Sequence, residues 1–128
     1  MDNIINNQLI VYISGPPLIQ DNNMRNLTIK DGGEIALRIN FFGAKPIHIT
    51  WTHNDQILYR SNQIFIKNEL QLTELSIKNV DKSHKGTYQL RLQNESGEAV
   101  ASCTVYIQGT IKNVISQNTK VYKVTFYS

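Results

Sequence analysis

Apolar and polar residues alternate with a period of two along most of this chain. Ile35, Leu37, Ile39 and Phe41 are separated by Ala36, Arg38 and Asn40, and Ile47, Ile49 and Trp51 by His48 and Thr50. Leu75 and Ile77 stand two apart before Val80, while Tyr88, Leu90 and Leu92 alternate with Gln89, Arg91 and Gln93. Ala99, Ala101, Cys103, Val105 and Ile107 alternate with Val100, Ser102, Thr104 and Tyr106. Successive side chains of a strand point to opposite faces, so each run reads as a strand with one face buried. No window carries a convincing helical stripe. Turn-forming clusters punctuate the runs: Gly15-Pro16-Pro17, Asp31-Gly32-Gly33, Gly43 to Pro46, His53-Asn54-Asp55 and Asn94-Glu95-Ser96-Gly97. Strands are predicted near 17–20, 26–30, 34–42, 47–53, 56–60, 62–66, 70–78, 86–94 and 98–108. Many short strands between such turns predict an all-β antiparallel sandwich or barrel.

Two short stretches echo each other. Val11-Tyr12-Ile13-Ser14-Gly15 resembles Val105-Tyr106-Ile107-Gln108-Gly109, at an offset of about 94 residues. Residues 9–15 then read as the tail of a preceding repeat, or as a strand that mimics one. The expected organisation is an N-terminal extension over 1–14, one domain over 15–109 and a C-terminal extension over 110–128. The last segment alternates through Tyr122, Val124 and Phe126. It is expected either to pair with a neighbour's sheet edge or to begin another module.

Composition narrows the picture. The chain has 128 residues, of which 41% are hydrophobic, enough for one sizeable core. Charged residues are 18%, below the roughly 25% of an average globular chain, so Asn, Gln, Ser and Thr carry much of the surface. The net charge is +3, and the 13 basic residues are scattered rather than striped, which argues against nucleic acid. The single cysteine, Cys103, excludes an intrachain disulfide and a Cys-rich metal site. Small secreted β domains usually carry disulfides, so the count points to a reducing, cytoplasmic home. Met1 to Asn7 lacks the basic start of a signal peptide, and Leu9 to Ile13 is too short for its apolar core. Nothing approaches the ~18–20 apolar residues of a membrane-spanning helix.

The strongest constellation lies around Trp51, the only tryptophan, which follows Gly43 and Pro46. Downstream come Leu75-Ser76-Ile77-Lys78-Asn79-Val80-Asp81 and Gly86-Thr87-Tyr88-Gln89-Leu90. Over about 15–109 this order and spacing resembles the I-set immunoglobulin domain. The resemblance implies an antiparallel β-sandwich in which Trp51 packs on the inter-sheet core. It implies that Tyr88 bonds its hydroxyl back to backbone as a tyrosine corner. Asn94, Gly97 and Ala99 match the family's last hairpin. The offset of the echo fits the roughly 100 residues of one such module. The two disulfide positions of the family read Ile39 and Leu90 here, a pairing similar to that in intracellular muscle domains of the titin, twitchin, projectin, stretchin and obscurin type. The expected core is therefore Trp51, Tyr88, Ile39, Leu90, Leu37, Leu75, Ile77 and Cys103, with Gly86 at the corner. The family's acidic residue two before that glycine is His84 here, and Asp81 stands too early to replace it directly. One local hydrogen bond of the corner thus lacks its usual partner.

Candidate chemistry is sparse. Cys103 is in phase with Val105 and Ile107 and reads as a small inward hydrophobe. His48 and His53 lie five apart on one strand and face opposite ways, so they cannot share a metal. His84 reads as a turn residue. Asn26-Leu27-Thr28 and Asn94-Glu95-Ser96 match the glycosylation pattern, which matters only in a secretory compartment. No phosphate loop or nucleophile elbow is present. The expectation is a non-enzyme that needs no cofactor or small-molecule substrate and binds protein. The family resemblance implies a passive muscle module that spaces its neighbours, carries tension and docks on a filament. Lys112, Lys120 and Lys123, with Val11 and Ile13, are the candidate contacts, and a myosin filament or neighbouring immunoglobulin modules the candidate partners. The loops around Gly43–Lys45 and Asn94–Gly97 are further docking candidates. The alternative is an extracellular adhesion or receptor domain without its disulfide.

Overall fold

In the computed structural model, residues 15–20, 23–115 and 121–127 are described. The strands are β1 (Leu18–Ile19), β2 (Leu27–Lys30), β3 (Ile35–Phe42), β4 (His48–His53), β5 (Gln56–Ile57), β6 (Ile64–Glu69), β7 (Leu72–Ile77), β8 (Gly86–Asn94), β9 (Gly97–Ile115) and β10 (Val121–Tyr127). One 3-10 turn covers Lys82–His84. Two sheets face each other. The four-stranded one has the order β1-β3-β7-β6. The six-stranded one runs β10-β9-β8-β4-β5, with β2 added along β9. All pairings are antiparallel except β2 with β9, which is parallel.

The alternating pattern explains which faces meet. β3 buries Ile35, Leu37, Ile39 and Phe41 and exposes Ala36 and Arg38. β8 answers from the other sheet with Tyr88, Leu90 and Leu92, and β9 with Cys103, Val105 and Ile107. Leu75 and Ile77 of β7 and Val80 complete the layer. Ile39 and Leu90 are fully buried, so apolar packing fills the place where a disulfide would join the sheets.

A polar link also crosses the core. The Trp51 indole N–H donates to the buried Thr73 hydroxyl at 2.9 Å, and that hydroxyl donates to Asn68 Oδ1 at 2.7 Å. A buried indole N–H without an acceptor is costly. Thr73 therefore satisfies Trp51 and ties β4 to β7 and β6.

Several boundaries differ from the sequence expectation, each for a local reason. β5 stops at Ile57 rather than continuing to 60. Leu58 still donates its N–H to Trp51 O at 2.9 Å, but the chain then crosses to the other sheet. There Arg60 Nε donates to Ile66 O (2.7 Å) and Ser61 N–H to Ile64 O (2.9 Å). The β6–β7 turn falls at Leu70-Gln71, not at 67–69. Leu70 is 76% exposed, an apolar residue where turn chemistry would suggest a polar one. β9 runs through Gly109 to Ile115 instead of ending near 108, and β10 folds back on it from Tyr127↔Gln108 to Val121↔Ile115. The C-terminal segment thus pairs with its own chain. In the single chain β9 supplies the edge on which this segment lies. The β4–β5 connection is a tight hairpin with Asn54 and Asp55 at φ 49° and 68°, values that Asn and Asp tolerate better than most residues.

Candidate interaction surfaces

The corner at the start of β8 is closed by side chains from three segments. Tyr88 donates its hydroxyl to His84 O at 2.6 Å, and its ring stacks on His53 with centroids 4.4 Å apart and planes 8° from parallel. His53 Nε2 lies 2.6 Å from Lys85 O, which places the proton on that nitrogen. Asp81 caps the 3-10 turn by accepting the Ser83 N–H at 2.8 Å. His84 Nδ1 accepts the Asp81 N–H at 3.0 Å. The imidazole thus supplies the hydrogen bond for which the sequence offered no carboxylate. Ser83, by its hydroxyl and its N–H, holds the Asp81 carboxyl below the usual range. Burial pushes the Tyr88 phenol well above its usual range, with Cys103 beside it adding to the effect. Gly86 has φ +129°, and a Cβ there would strike the Asn54 amide, whose Oδ1 accepts the Thr87 N–H.

This corner is structural rather than reactive. Cys103 is 4% exposed and burial raises its thiol pKa, the opposite of what a nucleophilic cysteine requires. Among the described residues no group of three or more His, Cys, Asp or Glu could hold a metal ion.

The ends of the sandwich carry the remaining sequence candidates. Asn94 Nδ2 donates to both Gly15 O and Ala44 O at 2.9 Å, and its Oδ1 accepts N–H groups from Ser96 and Gly97. The loops at Gly43–Lys45 and Asn94–Gly97 therefore meet at the end where the chain enters. A glycan on Asn94 would use the nitrogen that makes both staples. Asn26 is exposed, with its Oδ1 accepting the Thr104 N–H. Lys112 lies in the extended part of β9, and Lys123 in β10 where the register shifts between Tyr122 and Val124. The structure brings these two lysines onto one hairpin. Lys120, Val11 and Ile13 lie outside the described residues.

The structure adds a surface that the sequence did not reveal. Between β4 and β6 the two sheets leave a trough made of two depressions. One, of about 600 Å³, is lined by Phe41, Lys45, Pro46, Ile47 and Leu70. The other, of about 340 Å³, is lined by Trp51, Ile57, Leu58, Tyr59, Arg60 and Ile66. Ile49 and Asn68 line both. A separate depression of about 580 Å³ lies on the outer face of the four-stranded sheet, beside exposed Phe65 over the short side chains of Ala36 and Ser76.

This arrangement defines an immunoglobulin-like module. The family model of the immunoglobulin I-set domain matches residues 18–107, and the chain belongs to that family. It is 31% identical over 100 residues to the striated muscle preferentially expressed protein kinase of Danio rerio, covering 78% of this chain and 3% of that protein. It is 25% identical over 92 residues to titin of Drosophila melanogaster, covering 72% of this chain and 0%, to the nearest per cent, of that one. Protein turtle homolog B of Homo sapiens is 29% identical over 98 residues, covering 76% and 7%. The chain thus spans less than a tenth of the length of each of these relatives. Among solved structures, titin M4 superposes with a TM-score of 0.68 at 25% identity, covering 73% of this chain and 96% of that one. A complex of titin M10 with obscurin-like 1 matches with a TM-score of 0.68 at 22% identity, covering 73% and 93%. Immunoglobulin domains mediate contacts between proteins, as that complex illustrates. The domain resembles those of titin and other muscle proteins, in a family whose members are generally non-catalytic.

Proposed function

We propose that this chain is a structural, protein-binding module of a muscle modular protein, working in the sarcomere and associated with the thick filament. The observation that carries the reading is the path of the chain between its two ends. Entry at Gly15 is fixed beside Ala44 and Asn94. Exit along β9 passes Gln108, whose carbonyl accepts the Asp31 N–H. Gly97 to Gln108 spans roughly 35–40 Å at ~3.3 Å per strand residue. Between these ends β2 runs parallel to β9 in the register Leu27↔Val105 to Lys30↔Gln108. Tension applied at entry and exit loads those hydrogen bonds side by side, so they must break together. The similarity to the striated muscle kinase and to titin supports the muscle setting. Lys112, Lys120 and Lys123 would meet an acidic filament surface.

The test is co-sedimentation of the whole chain with purified myosin filaments, beside a variant with Lys112, Lys120 and Lys123 all changed to Glu. Pelleting of the parent chain and its loss in the variant are expected. Failure of the parent chain to pellet would overturn the thick-filament assignment. The second reading, an extracellular adhesion or receptor domain, keeps the similarity to protein turtle homolog B and the exposed sequon at Asn26. A glycan found by mass spectrometry on Asn26 after secretion from cells that express the chain would favour it.

A further inference from the structure

The trough between β4 and β6 is bordered by two strands that treat their outer edges differently. On β6 the outward carbonyls of Ile64 and Ile66 are taken by Ser61 N–H and Arg60 Nε. On β4 the Trp51 carbonyl points away from β8, since it accepts the Leu58 N–H. Backbone groups alternate sides along a strand, so Ile49 points its N–H and C=O the same way. No β5 residue reaches it, because β5 pairs only with Thr52 and His53. Among the described residues, nothing pairs with Ile49 on that side. An open edge of this kind is a template for another strand.

The walls and rim state what that strand must look like. Ile47, Ile49, Ile57, Leu58, Tyr59, Ile66 and Leu70 give an apolar lining, of which Ile57, Tyr59 and Leu70 are 54%, 71% and 76% exposed. Lys45 stands at one end of the trough, its Nζ 4.9 Å above the Phe41 ring, and Arg60 at the other. Neither has a carboxylate partner among the described residues, and the one acid of the lining, Glu69, is paired with Lys67 at 3.5 Å. The rim is therefore left net positive at both ends.

We propose that this trough is a docking site for an extended strand of another protein, apolar at alternate positions and acidic at its ends, which adds to the sheet at Ile49. The strand's backbone bonds Ile49, its alternate side chains enter the two depressions on either side of Asn68, and its acids face Lys45 and Arg60. The inference goes beyond the filament reading and uses none of the lysines of the β9–β10 hairpin.

The probe is a short capped peptide alternating valine and threonine with glutamate at each end, titrated into the whole chain and followed by amide NMR. The expected result is a shift centred on Ile47–Ile49 and slowed hydrogen exchange of the Ile49 amide. Thr50, whose N–H faces β8, keeps its rate. Binding weakens about tenfold, worth about 1.4 kcal/mol, in Lys45→Glu and with a lysine-ended peptide. Lys45 is exposed in a loop, so the variant keeps the fold, which its unchanged core resonances verify. No binding, binding indifferent to charge reversal, or shifts centred elsewhere overturns the proposal. So does concentration-dependent protection of Ile49 without peptide, which assigns the trough to a second copy of this chain. A negative result here with intact filament binding separates this proposal from the preceding one.

Discussion

Along one flank of the sandwich the first strand is divided between the sheets. β1 pairs with β3 in the four-stranded sheet and β2 with β9 in the other, so one stretch of chain closes both edges. Along the opposite flank only the two residues of β5 join β4, and the chain then crosses to β6. The two flanks share the same core and the same alternating pattern. They differ in how the crossing chain is shared: two residues of β1 and four of β2 on one flank, two of β5 and six of β6 on the other, where only Thr52 and His53 of β4 are paired. Splitting a strand seals a flank, and crossing early leaves an apolar trough.

The largest test of this contrast is Trp51→Ala. Trp51 is 2% exposed, spans the core and lines the open flank. Truncation should cost about 3–5 kcal/mol in urea unfolding. A much smaller loss would mean that the trough collapses to fill the space. At the end of the sandwich, where Pro17 leads into β1, Gly43→Ala tests whether there is room for one methyl group. Gly43 has φ +146°, and a Cβ would lie 2.9 Å from Pro17 Cα and 3.2 Å from Ile47 Cδ1. The expected loss is about 1–3 kcal/mol, read from the same unfolding curves. A neutral result would show that this end gives way.

Tyr88→Phe probes a point outside both flanks. It removes the bond to His84 O and should cost about 0.5–1.5 kcal/mol at neutral pH. The phenol's folded pKa is raised, so its contribution is full below the ordinary tyrosine value of about 10 and is lost as pH rises toward the folded value. Thermal midpoints of the parent chain should therefore fall faster above that pH than those of Tyr88→Phe. Parallel curves would exclude Tyr88 as the cause. The smallest effect belongs to Leu70→Ser on the rim of the open flank, expected within about 0.5 kcal/mol because Leu70 is mostly exposed. A larger loss would show that Leu70 supports the sheet rather than lining a site.

The core-facing strands are the legible parts. Ile35 to Phe41, Ile47 to Trp51, Tyr88 to Leu92 and Cys103 to Ile107 alternate strongly because each packs one face on the core, and that pattern is written in the residue order. Trp51, Gly86 and Tyr88 brought the family into view for the same reason. The trough left no such trace. Its lining comes from β3, β4, β5, β6 and the turn at Leu70, segments far apart in sequence that only the crossing brings together. The length of β5 depends on where Arg60 and Ser61 find carbonyls on β6, a tertiary fact with no local signature. The extension of β9 was hidden by Gly109, which reads as a terminator until β10 pairs across it through Phe126. The role of His84 has no signature in the residue order, because its ring nitrogen meets the Asp81 N–H only once the 3-10 turn has formed.

The hydrogen-bond link from Trp51 through Thr73 to Asn68 has an optical consequence. The chain has one tryptophan, and its indole N–H is connected through a single hydroxyl to an amide at the waist of the trough. An occupant that draws on the Asn68 amide changes the polarity around the only indole in the molecule. The intrinsic fluorescence of the unlabelled protein is thus a direct readout of whether that flank is filled.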